Sequence, residues 1–548
     1  MLRAIELENF KAFGERNRIE FAPITLVFGE NSAGKSSILH ALSLLKQTRQ
    51  SREHGALLLP RVEGGLVDLG GFQELLFDHE LNRELSIRVD MIPDPLTKRR
   101  SSEILTEQPS GRDFVGFEAV FARPTEEAEI ELRRLSLYAS ASSGRTAEFS
   151  PVELKPGQSR TFVHEPTAML RSRRPTSASA SRGARCTWLT DNHDLWADIY
   201  ARSKRRSEKI VDELRQLRTK SSESAQQGSL FEDKENDDRM WLVELDEAIA
   251  FYESDFTISA FIKRMHHAER ETVIGLDGFV PLSIRHRERE PLPELETFRR
   301  FGPTRLRMRD LTLDLSSIAV NSGQMLEDAL DSLYPMGPYR RPPQRWYIFT
   351  GSSPQDVGYT GDLLPDLLFR RPEVVQETNS WLDKLEIGYH IKVQSVGTRS
   401  RDLFEVRLID RRRGREVDVA LSDVGFGVSQ ILPFIVQSLA GERQTITIEQ
   451  PEVHVHPRLQ ADLGDLLASA IQFPRLHRFI VETHSEHLVL RMQRLVRDKR
   501  IHADDVSIIF VSRGLDGSRA QRLCLDANGD FLDDWPGGFF PERLRELI

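Results

Sequence analysis

Residues Gly29 to Ser37 read GENSAGKSS, a match to the phosphate-loop pattern G-x-x-x-x-G-K-[ST], and no other feature constrains this chain as tightly. Ile24 to Phe28 before it is a short apolar run, as a buried strand requires. After it, Ile38, Leu39, Leu42, Leu44 and Leu45 recur at helical spacing between Ser37 and Thr48. A strand, a glycine-rich turn and an amphipathic helix in that order predict an α/β nucleotide domain rather than a chance glycine turn. Gly29 and Gly34 allow the backbone to wrap tightly, so that the loop of Asn31, Ser32, Ala33, Gly34, Lys35, Ser36 and Ser37 can turn its N–H groups toward phosphate oxygens. The helix N-terminus adds the positive end of a dipole. Lys35 is expected to neutralise the β and γ phosphates, and Ser36 to coordinate Mg²⁺.

Three later segments carry polar chemistry. Thr445 to Ile448 is apolar or β-branched and runs into Glu449-Gln450-Pro451-Glu452. A carboxylate at the end of a buried strand is where a phosphate-loop enzyme anchors Mg²⁺, which points to Glu449. The next position usually supplies the carboxylate that polarises water, and here it is Gln450, whose amide can orient water but cannot accept its proton. Either Glu452 supplies the base, or hydrolysis is slow, or Gln450 only positions water. Phe479 to Val481 is a further apolar strand ending in Glu482-Thr483-His484-Ser485. Its position at the carboxyl end of a core strand makes His484 a candidate γ-phosphate sensor, against the plainer reading of a structural histidine. Leu421 to Gln430 reads LSDVGFGVSQ, and Ser422, Gly425, Gly427 and Ser429 could present backbone N–H groups to an anion at a helix start. Ordinary capping by Ser or Asp is the plainer reading there.

Composition narrows the setting. The chain has 548 residues, enough for two to four domains at about 150 residues each. Two cysteines, Cys186 and Cys524, exclude a disulfide scaffold and a four-cysteine zinc site and suit a reducing cytosol. No run approaches the length of a membrane span, and MLRAIELENF lacks a basic region followed by an apolar one, so neither a membrane segment nor a signal peptide is expected. The net charge of −9 argues against a uniformly basic nucleic-acid coat.

Along the chain, Met1 to Glu8 and Arg18 to Phe21 alternate like strands, and Leu85 to Met91, Phe114 to Phe121 and Ile130 to Tyr138 predict an antiparallel β layer beside the nucleotide core. From Ser159 to Lys220 there are 14 Lys and Arg against 7 Asp and Glu. Within it Arg171 to Arg185 reads as a loop, and Ile210, Val211, Leu214 and Leu217 as a helical stripe. Ser221 to Asp238 reads as a linker and Trp241 to Met265 as helix, so 155–300 is expected to be a largely helical insertion without heptads. The basic stretch is a candidate contact for DNA or RNA phosphates, weighed against a solvated loop. After Pro335 the α/β pattern resumes: Phe404 to Ile409, Thr445 to Ile448, Phe479 to Glu482 and Val506 to Val511 as strands, Ser429 to Leu439 and Leu459 to Ile471 as helices. The predicted division is 1–155, 156–300, 301–495 and 496–548. His454 and His456 beside Glu452 lack a third zinc ligand nearby. Asp530, Asp533 and Asp534 read as loop acids, with Trp535, Phe539 and Phe540 packing the tail onto the head.

This order of motifs resembles ABC-type ATPase heads of the SMC, RecF and OLD lineage. A phosphate loop comes first, then a distant LS-x-x-G-type segment, an acidic strand end, and last a switch histidine. The nearer resemblance is to bacterial AAA family ATPases that end in a short domain of unknown function. It rests on LSDVGFGVSQILP, IEQPEVHVHP, ETHSEHLVLRMQR, DFLDDWPGGFF, and MGPYRRPPQRWY with DVGYTGDL, and covers about 1–90 and 330–548. The resemblance implies an α/β ABC-type P-loop ATPase head with a mixed central sheet and an antiparallel β layer, plus the helical insertion. It also implies ATP and Mg²⁺ as cofactors, with Lys35, Ser36, Glu449 and His484 at the nucleotide. Ser422 to Ser429 would touch the γ-phosphate of a partner's ATP, which implies a head-to-tail homodimer, or a higher oligomer, sandwiching two nucleotides. Gln73 is a weak candidate for the glutamine that bridges Mg²⁺ and water in such heads.

Three functions follow as expectations. The first is a cytoplasmic ATPase or ATP-gated switch of an antiphage defence system, similar to Septu-type ATPases, controlling a separate effector such as a nuclease. The second is a DNA repair or recombination clamp of RecF or SMC type. The third is a slow or non-hydrolysing ATP-bound scaffold.

Overall fold

A computed structural model of the chain describes residues 1–51, 53, 55–92, 115–139, 145–153, 182–189, 273–285, 319–349, 351–396, 402–412, 416–536 and 538, together with scattered helical residues between 197 and 263. Three sheets organise these residues. The first has nine strands and is antiparallel throughout: β1 (Leu2–Glu8), β2 (Asn17–Glu20), β4 (Leu85–Met91), β5 (Val115–Ala122), β6 (Glu131–Ala139), β7 (Arg145–Glu153), β8 (Arg182–Leu189), β9 (Val273–Asp277) and β10 (Val280–Arg285). They lie in the order β10-β9-β8-β7-β6-β5-β4-β1-β2.

The second sheet carries the phosphate loop. It consists of β3 (Ile24–Gly29), β11 (Leu333–Met336), β16 (Thr445–Glu449), β17 (Arg478–Glu482), β18 (Val506–Gly514) and β19 (Gly517–Leu523). Their order is β11-β16-β17-β3-β18-β19, parallel except for the β18–β19 hairpin. A third sheet comprises β12 (Tyr347–Ile348), β13 (Tyr389–Ser395), β14 (Leu403–Asp410) and β15 (Val417–Ala420).

The parallel sheet is covered on both faces, which is why its strands are continuous apolar runs rather than alternating ones. Val27, Ile480, Ile509 and Val511 face a core shared with the helix Lys35–Gln50 and the antiparallel sheet. Ile24, Leu26, Phe28, Ile446, Ile448, Phe479 and Val481 face a second core, built with the helices Pro372–Lys384, Phe426–Leu439, Pro457–Ala470 and Glu486–Arg497. The fold is thus the expected α/β head, with an antiparallel layer beside a mixed central sheet.

Two parts of the expected division differ from the structure. The interval 156–300 contains helical residues within 197–263, but also β8, β9 and β10, which extend the antiparallel sheet. Ala184 and Cys186 are buried while Arg185 and Thr187 are exposed, a period of two that belongs to a strand. Arg182 to Arg185, read as part of a loop, therefore lies in β8, while 171–181 and most of 221–238 lie outside the described residues. The second difference concerns 496–548. It is not only an extension packed on the head, because β18 pairs with β3 itself from Val506↔Ile24 to Val511↔Gly29. Trp535 packs edge-on against Phe28, Phe510 and Phe531, with ring centroids 5.8, 5.7 and 5.4 Å away. Phe539 and Phe540 lie outside the described residues. No helix among the described residues is long and apolar enough to cross a membrane.

Candidate nucleotide site

Strand register brings distant motifs to one edge. β16, β17 and β3 run parallel, with Glu449 opposite Glu482 and Glu482 opposite Val27. All three strands therefore end together, where open α/β sheets bind ligands. The loop leaving β3 is built by its glycines. Gly29 has φ +145° and a Cβ there would lie 2.0 Å from the Val511 carbonyl oxygen. Gly34 has φ +91° and a Cβ would lie 2.6 Å from that of Ala12. No side chain fits at either position. Ser32 also takes a positive φ of 59°, and its carbonyl accepts hydrogen bonds from Arg513 Nε and Nη2 at 3.2 and 3.1 Å. β18 thus holds the loop from the side.

Gly34 precedes the helix Lys35–Gln50 with no side-chain cap. The first N–H groups of a helix have no partner within it, so those of Lys35 and Ser36 suit an anion. Asn31 and Ser32 are exposed beside them, whereas Ala33 and Ser37 are buried and serve through the backbone. Lys35 is buried, and its ammonium donates to the carbonyl oxygens of Gly29 at 3.1 Å and Glu30 at 2.6 Å. Burial pulls its pKa below the usual lysine value, opposed by the charges of Glu482, Glu30 and Glu452.

The acidic side of the site has three carboxylates. Glu449 is 8 % exposed and lies 3.5 Å from His40 Nε2. Glu482 is 3 % exposed, and its Oε2 has no hydrogen-bond partner. Burial raises the Glu482 pKa and the Glu449 charge raises it further, while a hydrogen bond from Ser36 and the charges of Lys35 and His40 oppose the rise. Glu452 accepts from the His484 backbone N–H at 2.6 Å, and its Oε2 is likewise buried without a partner. Burial raises its pKa too.

Gln450 sits between these groups at a turn with φ 44°, its N–H donating to the Glu482 carbonyl at 2.8 Å. The His484 side chain is exposed, and partial burial followed by the charge of Lys35 hold its pKa below the ordinary value. Ser485 Oγ then caps the next helix, accepting from the Leu488 N–H at 3.2 Å. Lys35, Ser36, Glu449, Glu482, Glu452 and His484 are consequently one electrostatic neighbourhood.

The segment Ser422 to Ser429 opens the helix Phe426–Leu439, whose N-cap, Gly425, makes no side-chain capping bond. The plainer expectation of a Ser or Asp cap therefore does not hold. Asp423 is instead clamped by Arg345 at 2.7 and 3.1 Å. Ser422 and Gly425 are exposed and Ser429 is buried. Gly427 packs directly on the loop after β16: a Cβ there would lie 2.5 Å from the His454 carbonyl oxygen. Gln73 uses its amide on the His79 carbonyl at 3.0 Å. His456 caps its own helix, accepting from the Arg458 N–H at 3.3 Å.

Three site residues were not singled out in the sequence. Glu482 had a legible signal, since TITIE and RFIVE are both five-residue strands ending in Glu. His40 lies four residues after Ser36 and so on the same helix face. Arg340 had no local signal. It is 8 % exposed, with Nε and Nη1 unpartnered, and burial pulls its pKa down to about 10 while Glu449 pushes it up. Only the pairing of β11 with β16 brings it there.

The groups can cradle a triphosphate and a divalent cation. The glycine cradle that a Cβ would fill, an orphaned buried carboxylate oxygen, and a donor set of one hydroxyl and two carboxylates all fit magnesium's preference for hard oxygen ligands. A family profile described as the AAA ATPase domain matches residues 1–108 and 370–489. Among solved structures, the SMC head domain of Pyrococcus furiosus bound to the C-terminal domain of ScpA has a TM-score of 0.37. Identity is 12 %, with 95 % of this chain and 96 % of that chain covered. The SMC head domain of Thermotoga maritima has a TM-score of 0.34 at 9 % identity, covering 95 % and 98 %. No curated protein matches the sequence.

Proposed function

We propose that this chain is an ABC-type ATPase head that binds ATP with Mg²⁺ at the β3–β17–β16 edge and pairs head-to-tail around two nucleotides. In this reading it is the cytoplasmic regulatory or sensor subunit of an antiphage defence system whose effector, a nuclease, is a separate chain. The observation that carries the ATPase reading is the convergence on one sheet edge of Lys35 with Glu449 and His484, which lie more than 400 residues after it in sequence. Ser36 and Glu449 would hold Mg²⁺, which would supply charge neutralisation at the phosphates. Lys35 would exchange its two loop carbonyls for phosphate oxygens. Gln450 would orient water without taking its proton, so either Glu452, with its unpartnered oxygen, supplies the base or hydrolysis is slow.

Support for pairing comes from the LSDVG segment. Each chain has one phosphate loop and one such segment. The N-terminus of the helix Phe426–Leu439 is uncapped, and a Cβ on Gly425 would meet nothing within 4 Å. Tyr339, Trp346 and Ile348, which flank the Arg345 that clamps Asp423, expose 84 %, 59 % and 71 % of their surface. A self-complementary contact between copies would cover such apolar area. The defence role rests on the resemblance of the LSDVGFGVSQILP, IEQPEVHVHP and ETHSEHLVLRMQR segments to Septu-type ATPases.

Two variants separate these layers. Lys35→Ala is expected to abolish binding of a fluorescent ATP analogue. Gly425→Asp, which sets a carboxylate at the open helix start, is expected to keep binding but lose ATP-dependent dimerisation in light scattering. Wild-type protein that neither binds ATP nor changes its assembly overturns the proposal. Phage protection that requires Lys35 together with a neighbouring nuclease gene would support the defence role, and protection indifferent to Lys35→Ala would remove it.

A further inference from the structure

We propose that Glu482 is a direct ligand of the nucleotide-associated magnesium, so that the ion sits between the Ser36 hydroxyl and two in-register carboxylates, Glu449 and Glu482. This deepens the ATPase reading and rests on it. Glu482 is the last residue of β17, the strand between the phosphate-loop strand and the strand that ends in Glu449. Adjacent parallel strands lie about 4.8 Å apart, and residues in register point to the same face. Glu449 and Glu482 are in register, so their carboxylates leave the sheet side by side.

Three observations single out Glu482 among the acids here. It is the one whose charge the neighbouring Ser36 hydroxyl, expected on magnesium, stabilises. It is 3 % exposed, so water does not compensate its charge. Its Oε2 has no partner, although leaving a buried carboxylate oxygen unpaired is destabilising. No cation reaches Glu482 Oε2 with a hydrogen bond: Lys35 directs its ammonium to the carbonyls of Gly29 and Glu30, and His40 and Arg340 are engaged with Glu449. Glu452 also has an unpartnered oxygen, but its other oxygen is taken by the His484 N–H. A divalent cation at Ser36 satisfies the orphan oxygen and the like-charge pair at once. Magnesium takes one or two protein carboxylates together with substrate phosphates.

The test uses the full-length chain and a fluorescent ATP analogue, titrated with Mg²⁺ and in EDTA. Wild type is expected to bind weakly in EDTA and more tightly as Mg²⁺ is added. Glu482→Gln should raise the half-saturating Mg²⁺ by about 10- to 100-fold. Electron paramagnetic resonance of Mn²⁺ with ATP should show the same loss of protein-bound ion. A folded Glu482→Gln protein whose Mg²⁺ requirement equals that of wild type, while Glu449→Gln raises it, overturns the proposal. If Glu482→Gln does not fold, Glu482→Asp carries the test, with an intermediate shift expected and no shift overturning it. Wild type that binds no nucleotide in either condition fails the ATPase reading instead, and is distinguished by that.

Discussion

His477 shows how a single buried group couples this fold to pH. It is 1 % exposed just before β17, and its Nδ1 accepts from the Gln444 backbone N–H at 3.1 Å. Burial, and secondarily Arg475, lower its pKa to about 4. A base whose folded pKa is depressed contributes stability that is full above its unfolded value, near 6.5, and is lost as pH falls toward 4. The difference corresponds to about 3 kcal/mol across that window. His477→Gln, which keeps an acceptor but cannot ionise, is expected to flatten the stability profile between pH 6.5 and 4 in urea titrations. An unchanged acid limb would show that other groups dominate. At this scale the sequence was informative wherever chemistry is local: Gly29, Gly34, Lys35 and Ser36 announce themselves by spacing. Arg340 and His477 do not, because their burial comes from neighbours far along the chain.

Among the elements, the phosphate loop is held by its flanks as well as by its own glycines. Arg513, at the end of β18, donates twice to the Ser32 carbonyl. Arg513→Ala is expected to loosen the loop without unfolding the sheet. The loss of about 1 kcal/mol would weaken nucleotide binding about fivefold, measured with the same fluorescent analogue. Gly29→Ala should behave differently. The added Cβ meets the Val511 carbonyl at 2.0 Å, so insoluble or unfolded protein is expected rather than a weak binder. Strands such as β3, β16 and β17 were legible from their apolar or β-branched runs, and β4 from its strict alternation. β8, β9 and β10 were not: they lie among charged residues and owe their existence to pairing with β7 and with one another.

On the scale of the whole molecule, the nucleotide sheet is assembled from both ends of the chain. β3 comes from the first 30 residues, and both of its neighbours, β17 and β18, lie beyond residue 477. Removing 501–548 would strip β18 and β19 and leave one edge of β3 unpaired beside Phe28. Such a truncation is expected to lose its cooperative thermal transition and nucleotide binding together. Soluble protein that still binds the ATP analogue would show that β18 is dispensable.

Periodicity and motif spacing alone determined that this chain carries a phosphate loop on an α/β sheet, with acidic and histidine-bearing strand ends to serve it. Those signals are local, written in glycine geometry and in the apolar pattern of each strand. Which strands stand side by side was decided only by tertiary pairing. That pairing set Glu482 beside Glu449 and Ser36, buried Arg340 near Glu449, and turned an apparent tail into the neighbour of the phosphate-loop strand. Register between strands more than 400 residues apart depends on the packing of two cores at once, and no window of sequence contains it.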